Sequence, residues 1–257
     1  MASPAIAAAD RTTSRWRAAL RLFALLMLLI VMVPPHLIAK IGARRSPWPQ
    51  MFLRSAARII GVRATVIGAP LTPPTLAISN HVSWLDILIL GGATGTAFVS
   101  KADVATAPLV GWLANQNHTL YVERTDRSDA HGQVRRIAEG IEREQPLTIF
   151  PEGTTGDGRA LLPFRSTLLA AVAPAAPGTA VRPIAIDYGA AGPEIAWHSG
   201  ERGIDNALRL LGRRGSLPVT VRLLDPLPPG EDRKSMARDA QAAIGAALPS
   251  ATLPGGL

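Results

Sequence analysis

The sequence predicts an α/β fold: a single domain with a central mixed, largely parallel sheet flanked by helices, preceded by an N-terminal membrane-anchoring helix. Three observations carry this expectation. Short apolar runs recur along the chain as "ATVIG", "TLAIS", "AFVS", "TLYVE", "LTIF", "VRPIAIDY" and "VTVRLL". Segments with helical periodicity separate several of them, the alternation expected of strands joined by helical crossovers. Near the start lies one long apolar stretch without charge. A chain of 257 residues can bury one sizeable core. The expected division is 1–47 as basic N-terminus and apolar anchor, 48–248 as the α/β domain and 249–257 as a flexible tail.

The anchor is Leu22 to Ala39, "LFALLMLLIVMVPPHLIA", which holds no Lys, Arg, Asp or Glu and approaches the ~18 residues at which a spanning helix becomes feasible. Arg11, Arg15, Arg17 and Arg21 precede it, and Lys40, Arg44 and Arg45 follow. Basic flanks on both sides leave its orientation open. Pro34 and Pro35 are expected to interrupt it. No clean small-x-small cleavage site follows, so the reading is an uncleaved anchor that spans or dips into the inner leaflet. "WPQMFLRSAARII" then places Phe52, Ala56, Ile59 and Ile60 on one helical face and Arg54 and Arg58 on another. That pattern suits an anionic bilayer surface and equally an ordinary helix on the domain.

"TLAIS", after Pro73 and Pro74, reads as a buried strand. Trp84 to Leu90 reads as a short buried helix stopped by Gly91 and Gly92, with Ser83 as its N-cap and Asp86 completing a Ser-x-x-Asp capping pattern. From Ser128 to Glu144, Val134, Ile137, Ala138 and Ile141 fall on one helical face.

Lys and Arg exceed Asp and Glu by eight, which calls for an anionic partner, nucleic acid or a phospholipid surface. The apolar anchor and the lack of any nucleic-acid motif argue for the membrane and against nucleic acid. The chain has no Cys, so thiolate chemistry and disulfides are excluded. No Gly-x-Ser-x-Gly elbow is present, and the five histidines show no metal-ligand spacing.

In sheets of this kind ligands bind at the carboxyl ends of strands, and three polar clusters lie there: Asn80 to Asp86, Glu123 to Arg127 and Pro151 to Arg159. In "NHVSWLD" a cap explains Ser83 and Asp86 but not His81. On one continuous helix His81 and Asp86 would point about 140° apart. With His81 in the turn before the cap, the two can hydrogen-bond as base and orienter. Arg124 ends its strand where a guanidinium can fork onto an anion, although a solvated charge is the commoner role. The Gly153 to Gly156 loop can present N–H groups to an anion or serve only as a turn.

In order and spacing, "NHVSWLD", "YVER", "FPEGT" and "VRPIAI" resemble the four blocks of the phospholipid and glycerol acyltransferases, and bacterial 1-acylglycerol-3-phosphate acyltransferases in particular. The resemblance runs from about Trp48 to Asp225. It implies that His81 is the general base taking the proton of an acceptor hydroxyl as it attacks an acyl thioester, with Asp86 holding the imidazole. It assigns Arg124, Glu152, Gly153 and Thr154 to the acceptor's polar head and Pro183 to the acyl side of the site. Implied partners are membrane lipids, a lysolipid acceptor and an acyl-CoA or acyl carrier protein donor, with no cofactor and no metal. The expected location is the cytoplasmic side of a bacterial inner membrane.

One departure matters for the acceptor. Where many members continue Phe-Pro-Glu-Gly-Thr-Arg-Ser, this chain has Thr155, Gly156, Asp157 and Gly158. A cation is lost and an Asp gained, and only Arg159 or Arg165 is near enough in sequence to substitute. The expected activity is acylation of 1-acylglycerol-3-phosphate to phosphatidic acid. "FPEGTTGDG" followed by "LPFRS" also resembles lyso-ornithine lipid acyltransferases, the alternative. A non-catalytic membrane-binding module would have no use for His81 and Asp86 together.

Overall fold

The computed structural model describes residues 14–42, 46–122, 140, 145–170, 172–173, 175, 178–228 and 232–248. The seven apolar runs form β1 (Val62–Ile67), β2 (Thr75–Ser79), β3 (Ala97–Lys101), β4 (Leu120–Val122), β5 (Leu147–Ile149), β6 (Ala180–Asp187) and β7 (Leu217–Leu223). They join in one sheet of order β1-β7-β6-β2-β5-β3-β4. The strands from β6 to β4 run parallel. β7 pairs antiparallel with β6, and β1 runs parallel to β7. The sheet is mixed and largely parallel. Its central strand is β2, flanked by two strands that come much later in the chain.

The α-helices with described bounds are α1 (Arg15–Gly42), α2 (Trp48–Ile60), α3 (Leu85–Thr94), α4 (Pro108–Gln116), α5 (Gly192–Ile195), α6 (Gly203–Gly212) and α7 (Arg233–Ala247). Side chains alternate across the sheet. Ala77 joins a core with Leu85, Ile89, Ile186 and Leu210, whereas Leu76 and Ile78 join another with Leu169, Ala240 and Ile244. With both faces covered, β2 is buried at every residue, which is why it reads as an unbroken apolar run.

Two expectations about helices are corrected, and the open alternative at α2 is decided. α3 does not stop at Gly91 and Gly92 but runs on to Thr94 and ends at Gly95, whose φ is +70°. The earlier glycines serve packing. A Cβ on Gly91 would lie 2.4 Å from Leu53 Cδ1, and one on Gly92 would lie 2.6 Å from Arg54 Cα, so α2 approaches α3 backbone to backbone. α2 accordingly spends its apolar face on the domain, with Leu53, Ala56, Ala57 and Ile60 buried and Arg54 Nε donating to the Gly92 carbonyl. It is a domain helix.

The second correction concerns α1, which continues through Pro34 and Pro35. One side packs on α2 and α6. Arg21 Nη1 donates to the carbonyls of Leu211 and Arg213 at the end of α6, where cations suit the unpaired carbonyls. His36 is buried between Ser46 and Gln116. The other side exposes Trp16, Phe23, Ile30, Val31, Ile38 and Ile41. Arg15–Ile41 is long and apolar enough to cross a membrane by length and composition. Arg124 lies outside the described residues, as does the amphipathic segment 128–144 save for Gly140.

Candidate active site

The carboxyl ends of three neighbouring parallel strands supply the site. β2 leads into Asn80 and His81, β5 into Phe150 and Glu152, and β6 into Tyr188. Asn80 holds the first to the third: its Nδ2 donates to the Ile186 carbonyl at 3.0 Å and its Oδ1 accepts the Ile186 N–H at 2.8 Å. The chain after Asn80 then turns back on itself. Gly156 N–H donates to the His81 carbonyl and Trp197 N–H to the Val82 carbonyl, so two later loops pin the turn.

This folding brings His81 and Asp86 together. Asp86, in the first turn of α3, is wholly buried. Its Oδ2 accepts the ring N–H of His81 Nδ1 at 2.8 Å and the backbone N–H groups of Val82 and Ser83 at 2.7 and 2.9 Å. Its Oδ1 accepts the Tyr188 hydroxyl at 2.5 Å. An ionised carboxylate only accepts, so His81 carries its proton on Nδ1 and leaves Nε2 as an acceptor with no partner among the described residues. The ring stacks on Phe150, with centroids 4.2 Å apart and planes inclined by 20°. The cap differs in detail from the expected one. Asp86 reaches back to the Ser83 N–H, but the Asp86 N–H goes to the Ser83 carbonyl, and the Ser83 hydroxyl takes Leu85 N–H at 3.4 Å.

Glu152 is buried and its Oε1 accepts the His81 backbone N–H at 2.9 Å. Burial pushes its carboxyl up to about 8, and the Asp86 charge adds to this against hydrogen bonds from the N–H groups of His81 and Leu162. A cavity of about 50 Å³ opens beside these groups and is lined by Asn80, His81, Glu152, Arg159, Asp187 and Tyr188 among others. Gly153 forms the turn beside it with φ +75°, while Gly153 and Thr154 are absent from its lining. The loop's N–H groups do not form the open anion cradle that its glycines suggest, because Gly153 and Gly156 donate to the carbonyls of Phe150 and His81. Pro183 is buried within β6, four residues short of Asp187. Arg165 is exposed away from the cavity. A wider cavity of about 630 Å³ lies at the amino ends of the strands, beside His36, Gln116 and Gln145, remote from the His81–Asp86 pair.

Residues missed in the sequence are Asn80 as a clamp, Tyr188 and Asp187. The only signal for Tyr188 was a phenol closing an apolar strand, since a buried hydroxyl needs a partner.

Residues 62–187 match the family described as Acyltransferase. A lyso-ornithine lipid O-acyltransferase of Pseudomonas aeruginosa is 42% identical over 181 residues, 68% of each chain. The chain belongs to the acyltransferase family. A lyso-ornithine lipid O-acyltransferase of Brucella abortus is 33% identical over 222 residues, 80% of this acyltransferase and 83% of its relative. A 1-acyl-sn-glycerol-3-phosphate acyltransferase of Neisseria gonorrhoeae is 32% identical over 113 residues, 44% of each chain. The crystal structure of the 1-acyl-sn-glycerophosphate acyltransferase of Thermotoga maritima superposes with a TM-score of 0.63 at 18% identity, covering 90% of this chain and 94% of that one. The fold is shared. Such relatives imply a lysolipid acceptor and an acyl donor, and the apolar α1 accords with a membrane location.

Proposed function

We propose that His81 is the general base of acyl transfer from a thioester to a lysolipid hydroxyl, and that the acceptor is of the lyso-ornithine lipid kind, ahead of lysophosphatidate. The observation that carries the chemistry is the free Nε2 of an imidazole whose Nδ1–H is fixed 2.8 Å from a buried carboxylate. The acceptor hydroxyl attacks the thioester carbonyl carbon while Nε2 takes its proton. Collapse of the tetrahedral intermediate breaks the C–S bond, and the imidazolium returns the proton to the departing thiolate. Asp86 holds the ring and offsets its transient charge. No acyl-enzyme forms.

For the acceptor, support comes from the charges around the cavity. Arg159 and Asp187 both line it, and the Arg159 guanidinium makes no hydrogen bond or ion pair with the described residues. A head group carrying one carboxylate and one ammonium, as an ornithine head group does, matches one cation and one anion. A phosphate dianion in the same cavity meets the Asp187 carboxylate without the usual third-block Arg. The relatives named for lyso-ornithine lipid also cover more of the chain than those named for 1-acylglycerol-3-phosphate.

For the anchor, we favour dipping over spanning. Arg21 and His36, roughly 22 Å apart along a helix, are both bonded to the same domain, so the helix is held against that domain on one side of a bilayer with its apolar face turned to lipid. A cytoplasmic site with acyl-CoA or acyl carrier protein as donor fits this arrangement. The test is transfer by purified enzyme from each donor to lyso-ornithine lipid and to lysophosphatidate in matched detergent. The expected result is faster turnover of lyso-ornithine lipid. Transfer to lysophosphatidate alone would reverse the acceptor assignment.

A further inference from the structure

Tyr188 follows β6 and is 5% exposed. Its hydroxyl lies 2.5 Å from Asp86 Oδ1, on the oxygen that His81 does not use. The carboxylate can only accept, so the phenol donates. Burial, with the Asp86 charge and hydrogen bond behind it, pushes the phenol well above its usual range, so it keeps this proton at any working pH. We propose that Tyr188 is a positioning residue for acyl transfer, which steadies Asp86 from the side opposite His81 and draws off part of the carboxylate charge that the imidazole would otherwise feel. The inference rests on His81 as general base.

Its physical content is a matter of sign. A donor on Oδ1 shares the carboxylate's charge. Without it more of that charge acts on the His81 side, the imidazolium is better stabilised, and Nε2 keeps its proton to higher pH. The base then becomes available later on the pH scale, and the carboxylate is freer to rotate. Other ionisable groups facing the pair are Glu152 behind the His81 backbone, and Arg159 and Asp187 across the cavity. All three remain in the variants below.

The experiment measures kcat and KM against pH with acyl-CoA, using lyso-ornithine lipid and lysophosphatidate in turn. For Tyr188→Phe, kcat is expected to fall about tenfold, the magnitude of one lost hydrogen bond to a charged group. KM for donor and acceptor should hold, and the acid limb of the kcat profile should rise by roughly half a unit or more. The chain has two tyrosines, so a fluorinated tyrosine incorporated in a Tyr121→Phe background places a more acidic phenol at position 188 alone. That stronger donor should move the acid limb the opposite way, and it decides the matter if Tyr188→Phe does not fold. A fall in kcat with unmoved limbs in both arms reduces Tyr188 to packing and overturns the proposal, as does an unchanged enzyme. His81→Gln is assayed alongside. Retained turnover there defeats the general-base reading itself, whereas an inactive His81→Gln with unmoved Tyr188 limbs defeats only the role of Tyr188.

Discussion

Two loops leave adjacent strands at the same end of the sheet and are built in opposite ways. The turn after β2 converges on a wholly buried carboxylate with four hydrogen-bond donors on it. Beyond the buried Glu152, the loop after β5 carries its charges outward: Asp157 and Arg159 are exposed, and Asp157 Oδ1 accepts the loop's own N–H groups at Arg159 and Ala160. A buried, fully satisfied network holds one geometry, because each partner it loses leaves an unpaired polar group. An exposed loop tolerates exchange. If His81 is the base and Arg159 meets the head group, as proposed above, the chemical step and the choice of acceptor sit on separable pieces of chain, and specificity can change without rebuilding the buried pair.

The sharpest way to break this contrast is within the buried turn. His81→Ala and Asp86→Ala should each lower kcat by about 10²–10⁴-fold, roughly 3 to 5 kcal/mol of transition-state stabilisation. Only Asp86→Ala should also lower the melting temperature markedly, since it strands two backbone N–H groups and the Tyr188 hydroxyl in the interior. Equal melting temperatures for the two variants would show that the turn is not held by its carboxylate.

Next is Glu152, under the same turn. Its folded-state value of about 8 stands above the ordinary 4.5, so between those pH values the folded chain binds more protons than the unfolded one. Stability therefore falls as pH rises through that window, at up to about 1.4 kcal/mol per unit. Glu152→Gln keeps an acceptor for the His81 N–H and has no charge to bury. Its melting temperature should exceed that of the wild type at pH 8.5 and match it more closely at pH 5. A parallel fall in both proteins would place the pH dependence elsewhere.

Smaller effects are expected in the outer loop. Arg159→Ala should raise the acceptor KM about tenfold, near 1.4 kcal/mol, with kcat and melting temperature little changed. A collapse of kcat would erase the distinction between the two loops. Asp157→Ala removes a local turn acceptor and should change KM by only about twofold, read in the same assay.

The seven strands, the α/β class and the His81–Asp86 pairing were legible because they are local. A buried strand needs an apolar run, and the turn that joins His81 to Asp86 lies within six residues of chain. The ends of α3 were less so, because Gly91 and Gly92 look like helix stops until Leu53 and Arg54 of α2 are seen against them. Likewise the apolar face of α2 reads the same whether a bilayer or α3 covers it. Sequence alone thus accounts for the strands, the long apolar N-terminal helix and the His81–Asp86 contact. The tertiary structure alone decided that β5 and β6 flank β2, which sets Glu152 behind His81 and Tyr188 behind Asp86. Strand order depends on non-local pairing energies that no run of neighbouring residues encodes, and a carboxylate's second partner comes from whichever strand that order places beside it.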